Sequence, residues 1–155
     1  GSAAEMFEEV ESRIGGCDAA IFAAAVADFT PLQVAGQKIK KGAAERMSIE
    51  LVATRDILGS ARNGFGFRGL LVGFAAETEK LRNHAVAKLR DKGCDFLVAN
   101  DVSRADIGFD GDHNEVAVFG ADGTEQEIPR GTKRQVAGAI LDLIGLGSRA
   151  SEGLE

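Results

Sequence analysis

Residues 23–41 read AAAVADFTPLQVAGQKIKK, and the apolar run that ends in this stretch begins earlier, at Asp18. From Asp18 to Val26, bounded downstream by Pro31 and Gly36, it has the length and composition of a fully buried strand in an open α/β sheet. Such sheets bind ligands beyond the carboxyl ends of their strands. The chemistry is therefore expected just after Val26, at Asp28 and at the three lysines that follow it, Lys38, Lys40 and Lys41. A run of cations is most simply a solvated loop. A loop that leaves the ligand edge of a sheet with three of them also suits a phosphate clamp, in which lysine acts as a mobile point charge.

Working outward, residues 3–14 place Phe7, Val10 and Ile14 at helical spacing, and Gly15-Gly16 end the pattern. Downstream, Met47–Ala53 reads as a short strand and Arg55–Ala61 as a short helix. Gly69–Phe74 and Cys94–Ala99 are two more buried strands, and between them Thr78 can cap a helix with Leu81, Ala85 and Leu89 on one face. From residue 108 to 128 the pattern changes to turn residues around an alternating strand, Glu115–Phe119, which is the signature of an antiparallel hairpin. Thr132 and Gln135 fit a capping box ahead of a last helix bearing Val136, Ile140, Leu143 and Ile144. The expected fold is α/β: a Rossmann-like, doubly wound, mostly parallel sheet with helices on both faces and an antiparallel hairpin extension. One domain spans 3–147, and 148–155 is expected to be a disordered tail.

The three buried strands end alike, in Ala27-Asp28, Ala75-Ala76-Glu77-Thr78 and Ala99-Asn100-Asp101. Small residues admit a ligand close to the backbone, and the polar groups can bond to ribose hydroxyls, a base edge or a hydrated Mg²⁺. Each taken singly is equally well a helix cap. Together they describe a nucleotide-sized ledge. Lys88 and Lys92, spaced i,i+4, could add positive field, although lysines near a helix C-terminus are favoured by the dipole in any case. At 1.5 Å per residue they should lie roughly 14 to 20 Å from the ligand edge.

At 155 residues with a net charge of −6, the chain can bury a core without disulfides and is a poor match for broad nucleic-acid binding. Cys17 and Cys94, at the presumed starts of two strands, are read as buried thiols of a cytoplasmic protein, and no apolar run approaches the roughly 20 residues of a membrane span. His84 and His113 are isolated, so no metal-ligand cluster is legible, and no Ser-His or Cys-His pairing suggests a covalent nucleophile. Neither GxGxxG nor GxxxxGK occurs, which counts against an NAD(P)-dependent oxidoreductase and a P-loop enzyme. From the residues alone the reading stops at a nucleotide-binding α/β domain, catalytic or not.

AAVADF (24–29), KIKK (38–41), RDIL (55–58), GFAAET (73–78), KLRDKGCDFLVANDV (88–102) and GFD (108–110), in this order, resemble the phosphopantothenate-cysteine ligase domain of coenzyme A biosynthesis. The resemblance implies a homodimeric enzyme that takes 4′-phosphopantothenate and cysteine, uses CTP with Mg²⁺, and passes through an acyl-cytidylate. It implies nucleotide contacts at Ala24, Ala25, Asp28, Arg55, Asp56, Ile57, Leu58, Phe74, Lys88 and Lys92, and at Lys38, which matches the lysine tied to turnover of the intermediate. Lys40, Lys41, Asn100 and Asp101 are candidate substrate or ribose contacts. FMN belongs only to a phosphopantothenoylcysteine decarboxylase domain, if the parent protein carries one. The family also has an earlier strand, a Gly-rich turn and an SSGKMG pattern that do not occur here. Gly1-Ser2 resembles a cleavage scar and Leu154-Glu155 cloning residues, so the chain is expected to be a piece that binds nucleotide with little ligase activity alone. The hairpin at 108–128 is the expected dimer contact, because its edge strands need cover.

Overall fold

The computed structural model describes residues 1–40, 46–77, 81–101 and 112–147, with Glu77 and Asp101 described by backbone only. Ala3–Arg13 forms α1, opened by a capping box in which the Ser2 hydroxyl accepts the Glu5 N–H at 3.2 Å and the Glu5 carboxylate accepts the Ser2 N–H at 2.5 Å. A single 3-10 turn, Ile14–Gly16, leads into β1 (Ala19–Phe22). There follow β2 (Phe29–Pro31), β3 (Leu51–Ala53), α2 (Ile57–Asn63), β4 (Leu70–Glu77) and α3 (Leu81–Lys92). The order closes with β5 (Phe96–Asp101), β6 (His113–Gly120), β7 (Glu125–Thr132) and α4 (Lys133–Leu143).

Five strands form one mixed sheet in the order β1-β4-β5-β6-β7, in which β1, β4 and β5 are parallel and β6 and β7 are added antiparallel. Side chains alternate across it. Leu71, Ala75, Leu97 and Ala99 face one way and pack with Ile14 of the 3-10 turn, Ala61 of α2, and Ala85 and Leu89 of α3. Val72, Val98, Val116 and Val118 face the other way, under Val136 and Ile140 of α4. Strands covered on both faces must be apolar throughout, which is why β4 and β5 read as unbroken apolar runs. Each fully buried Leu, Val or Phe contributes about 1.5–3 kcal/mol of transfer free energy. The doubly wound fold with its hairpin extension is as the sequence pattern indicates.

Gly73 has a packing reason. A Cβ there would lie 2.8 Å from Leu58 Cδ2 and 3.0 Å from Leu97 Cδ1, so its absence lets α2 settle directly on β4.

Two expectations are corrected. The first strand stops at Phe22, where its pairing with β4 ends at Phe22↔Gly73, and 23–25 run on exposed. Nor is it fully buried: α4 packs chiefly on β6 and β7, so Ala20 and Phe22 pack inward while Ile21 is 42% exposed. The second concerns 47–53, of which only Leu51–Ala53 is strand. It pairs with Phe29–Pro31 in a two-stranded antiparallel ribbon outside the main sheet. That ribbon and its loops expose Phe29, Leu32, Val34, Ile39, Met47, Ile49, Leu51 and Val52. Residues 41–45, 78–80 and 102–111 and the tail 148–155 lie outside the described residues, and with them Lys41, Thr78 and the first residues of the expected hairpin.

Candidate functional site

Beyond β1 the chain turns across the carboxyl ends of β1 and β4, and Thr54 pins it there. Its N–H donates to Asp28 O at 2.8 Å and its hydroxyl to Ala27 O. Two residues later Asp56 caps α2, accepting the Gly59 N–H at 2.9 Å. Between these segments, α1 and α3 lies a cleft of about 420 Å³. Its walls hold Ala24, Ala25, Asp28, Arg55, Asp56, Ile57, Leu58, Phe74, Lys88 and Lys92. Every residue named for the nucleotide except Lys38 is thus in one place. Val26 and the small strand-end residues Ala27 and Ala76 line it as well, together with Met6, Phe22 and Thr54, which the sequence did not single out. Helical spacing could have pointed to Met6, four residues before Val10 on α1. Thr54 had only its position before RDIL as a signal.

Lys88 and Lys92 are closer to the cleft than their distance along α3 suggests. The reason is the length of α2: seven residues, about 10 Å. Its far end is held at the amino ends of the strands, where Arg62 Nε donates to Gly93 O at 3.0 Å and Arg62 Nη2 to Asp95 at 2.6 Å. The start of so short a helix lies level with the last turns of α3, and Lys92 Nζ makes an ion pair with Asp56. Burial pushes the Asp56 carboxyl up. The Lys92 ammonium, the Gly59 N–H and the field of Lys88 outweigh this and hold it below the ordinary carboxylate value. Arg55 sits 3.8 Å over the Phe7 ring and 3.5 Å from Glu8, fixed by α1 at the rim.

The remaining candidates do not line this cleft. Lys38 and Lys40 lie exposed on the loop that β2 and β3 carry. Asn100 is on β5 beside Ala76, and its Oδ1 is buried without a hydrogen-bond partner among the described residues. Asp101 ends β5 opposite Glu77, with its side chain outside the description. The single pocket expected across three strand ends is therefore, in the described residues, a cleft at the ends of β1 and β4. The third end contributes nothing to its lining because β5 lies one strand further in.

Among the described residues no three His, Cys, Asp or Glu side chains are grouped to hold a metal. Asp28, exposed at the mouth, suits the outer contact of a hydrated Mg²⁺ that arrives on phosphates and keeps most of its waters. The cleft joins cations, two carboxylates and an apolar wall made by Phe74, Leu58 and the alanines, which matches a molecule with both a ring and phosphates.

This is a Rossmann-like α/β domain with a mixed polar and apolar cleft at the carboxyl edge of its parallel strands. The family model described as DNA/pantothenate metabolism flavoprotein C-terminal domain matches residues 1–146, and the chain belongs to that family. It is 40% identical over 162 residues to the coenzyme A biosynthesis bifunctional protein CoaBC of Mycolicibacterium smegmatis, covering 99% of this chain and 39% of that protein. The Bacillus subtilis protein of the same description is 42% identical over 146 residues, 92% of this chain and 35% of the relative. The crystal structure of the C-terminal domain of a CoaBC protein superposes with a TM-score of 0.73 at 34% identity, covering 97% of this chain and 64% of that one. The chain thus spans a little over a third of the length of these curated relatives. No helix among the described residues is long and apolar enough to cross a membrane.

Proposed function

We propose that this chain is the nucleotide-binding part of a phosphopantothenate-cysteine ligase that uses CTP and Mg²⁺ in the cytoplasm. The observation that carries the reading is the cleft, which gathers Ala24, Ala25, Asp28, the RDIL segment, Phe74, Lys88 and Lys92. In the reaction the carboxylate of 4′-phosphopantothenate attacks the α-phosphorus of CTP, the bond to pyrophosphate breaks, and an acyl-cytidylate forms. The amine of cysteine then attacks the acyl carbon, CMP leaves with the electron pair of the broken C–O bond, and the amine gives up a proton. No general base is needed for the first step, since a carboxylate is already ionised at neutral pH. Charge builds on the phosphates, where Lys88 and Lys92 act electrostatically; a hydrated Mg²⁺ arriving with the nucleotide, with Asp28 as its outer contact, would supply further charge neutralisation. Lys38 serves the second step from the ribbon loop, with Lys40, Lys41, Asn100 and Asp101 as candidate substrate or ribose contacts.

The enzyme works as a homodimer. The exposed apolar side chains that a subunit contact requires belong to the ribbon and its loops at 29–52, whereas the described part of the hairpin, 112–128, exposes no large apolar residue. The contact is therefore assigned to the ribbon, which would also carry Lys38 toward a partner. In a parent protein as long as the relatives, FMN would serve a fused decarboxylase domain.

The test is binding. Isothermal titration of the chain with CTP and Mg²⁺ is expected to give saturable heat, weakened at least tenfold by Lys92→Met. No heat with CTP, or equal heat in parent and variant, refutes the site. Pyrophosphate exchange dependent on phosphopantothenate separates the ligase from a non-catalytic nucleotide-binding module, and Lys38→Gln should keep that exchange while losing product formation with cysteine.

A further inference from the structure

On the other flank of α3, at the amino ends of the parallel strands, lies a second cavity of about 760 Å³. Four of the chain's eleven arginines line it, in a protein whose net charge is −6. They come from four places: Arg62 from the end of α2, Arg68 from the loop before β4, and Arg82 and Arg90 from opposite ends of α3. Cations crowded around one hollow repel each other unless anions compensate them. Two are compensated. Arg62 pairs with Asp95 at 2.6 Å, and Arg82 Nε donates to both oxygens of Glu125 at 2.9 and 2.8 Å. Among the described residues, Asp95 and Glu125 are the only carboxylates in the lining. Arg68 and Arg90, both exposed, have no partner among the described residues.

The rest of the lining narrows the choice of ligand. The backbone donors of the neighbouring turns are already used: Gly93 N–H to Arg90 O, Cys94 N–H to Leu89 O, Gly120 N–H to Thr124 O, Ala121 N–H to Asp95 O, and Gly123 N–H to Gly120 O. Recognition therefore falls to the two guanidiniums, whose planar forks suit phosphate oxygens. Val86, Leu89 and Phe119 supply an apolar wall beside them. The volume is that of a small-molecule site.

We propose that this cavity binds a small organic phosphate, with the phosphate held between Arg68 and Arg90 and an apolar body lying on Val86, Leu89 and Phe119. It is separate from the cleft that holds Lys88 and Lys92, and the inference stands whether or not that cleft takes CTP.

The experiment is a ¹H–¹⁵N titration of the chain with phenyl phosphate, and in parallel with inorganic phosphate. Saturable shifts are expected at the amides of Gly93, Gly120 and Gly123, with phenyl phosphate binding at least tenfold more tightly than inorganic phosphate. Arg68→Gln/Arg90→Gln, which removes no contact among the described residues and so keeps a native spectrum, should weaken binding at least tenfold. Asp28→Asn, in the other cleft, should leave it unchanged. Shifts that grow linearly and equally in parent and double variant, or that are confined to residues 24–28 and 54–58, overturn the site. Equal affinity for the two phosphates overturns the apolar half of the proposal.

Discussion

Replacing Asp56 in two ways separates its two duties, because it both caps α2 and pairs with Lys92. Asp56→Asn keeps a side-chain oxygen for the Gly59 N–H and removes the charge; Asp56→Ala removes both. The Asp56 side chain is 50% exposed and that of Lys92 30%, so the pair is worth about 0.5 kcal/mol, in the range of solvent-screened ion pairs. Loss of an N-cap costs about 1 kcal/mol. The expected destabilisation is then about 0.5 kcal/mol for Asp56→Asn and about 1.5 kcal/mol for Asp56→Ala. At roughly 2–4 °C per kcal/mol for a chain of this size, thermal unfolding followed by circular dichroism should show Tm falling by about 1–2 °C and 3–6 °C. The pH dependence has a definite sign. The carboxyl is held below its usual 3.8 in the folded state, so its charge stabilises above that value, and the contribution disappears as pH falls through the lower, folded value. Parent and Asp56→Asn should converge on acidification. An Asp56→Asn protein as unstable as Asp56→Ala at neutral pH, or a gap that persists after the carboxyl is protonated, refutes the division into cap and ion pair.

Arg62→Leu should be the costlier change, since Arg62 Nη1 also donates to the carbonyls of Phe67 and Gly69, at 3.1 and 2.9 Å, in addition to its bonds to Gly93 and Asp95. Leaving these partly buried acceptors and a carboxylate unpaired costs about 3 kcal/mol, a Tm drop of roughly 6–12 °C, and a loss under about 1 kcal/mol in denaturant titration contradicts the clasp. The Cys94 thiol is pushed up to about 11, first by burial and then by Asp95, so it stays protonated until far above neutral pH. With Cys17 exposed, iodoacetamide at mildly alkaline pH should label Cys17 alone, and Cys94 only on unfolding; rapid double labelling by mass spectrometry would disprove the burial.

What the sequence made legible follows from how local each signal is. β4 and β5 announced themselves because burial on both faces demands apolar residues at every position, and α4 because its capping box and apolar spacing lie within a few turns. β1 gave the same apolar signal and was misread as buried, since a run of alanines looks alike whether or not a helix covers its far side. Ile21 records the difference only in three dimensions. The cleft was legible as chemistry and misjudged as geometry. Ala24, Asp28 and Phe74 were expected at strand ends, but Lys88 and Lys92 enter because α2 is short, and the length of one helix sets which residues of another stand beside its cap. The ribbon was the least legible part, for Phe29–Pro31 and Leu51–Ala53 are three-residue strands too short to show a period, and their pairing spans a loop whose composition says nothing of its path. That same ribbon exposes a dense set of apolar side chains, which a chain with net charge −6 would leave uncovered only if another surface meets them. Local pattern therefore identifies the elements a core demands. It falls short where a residue's role depends on the length or position of a neighbour far away in sequence.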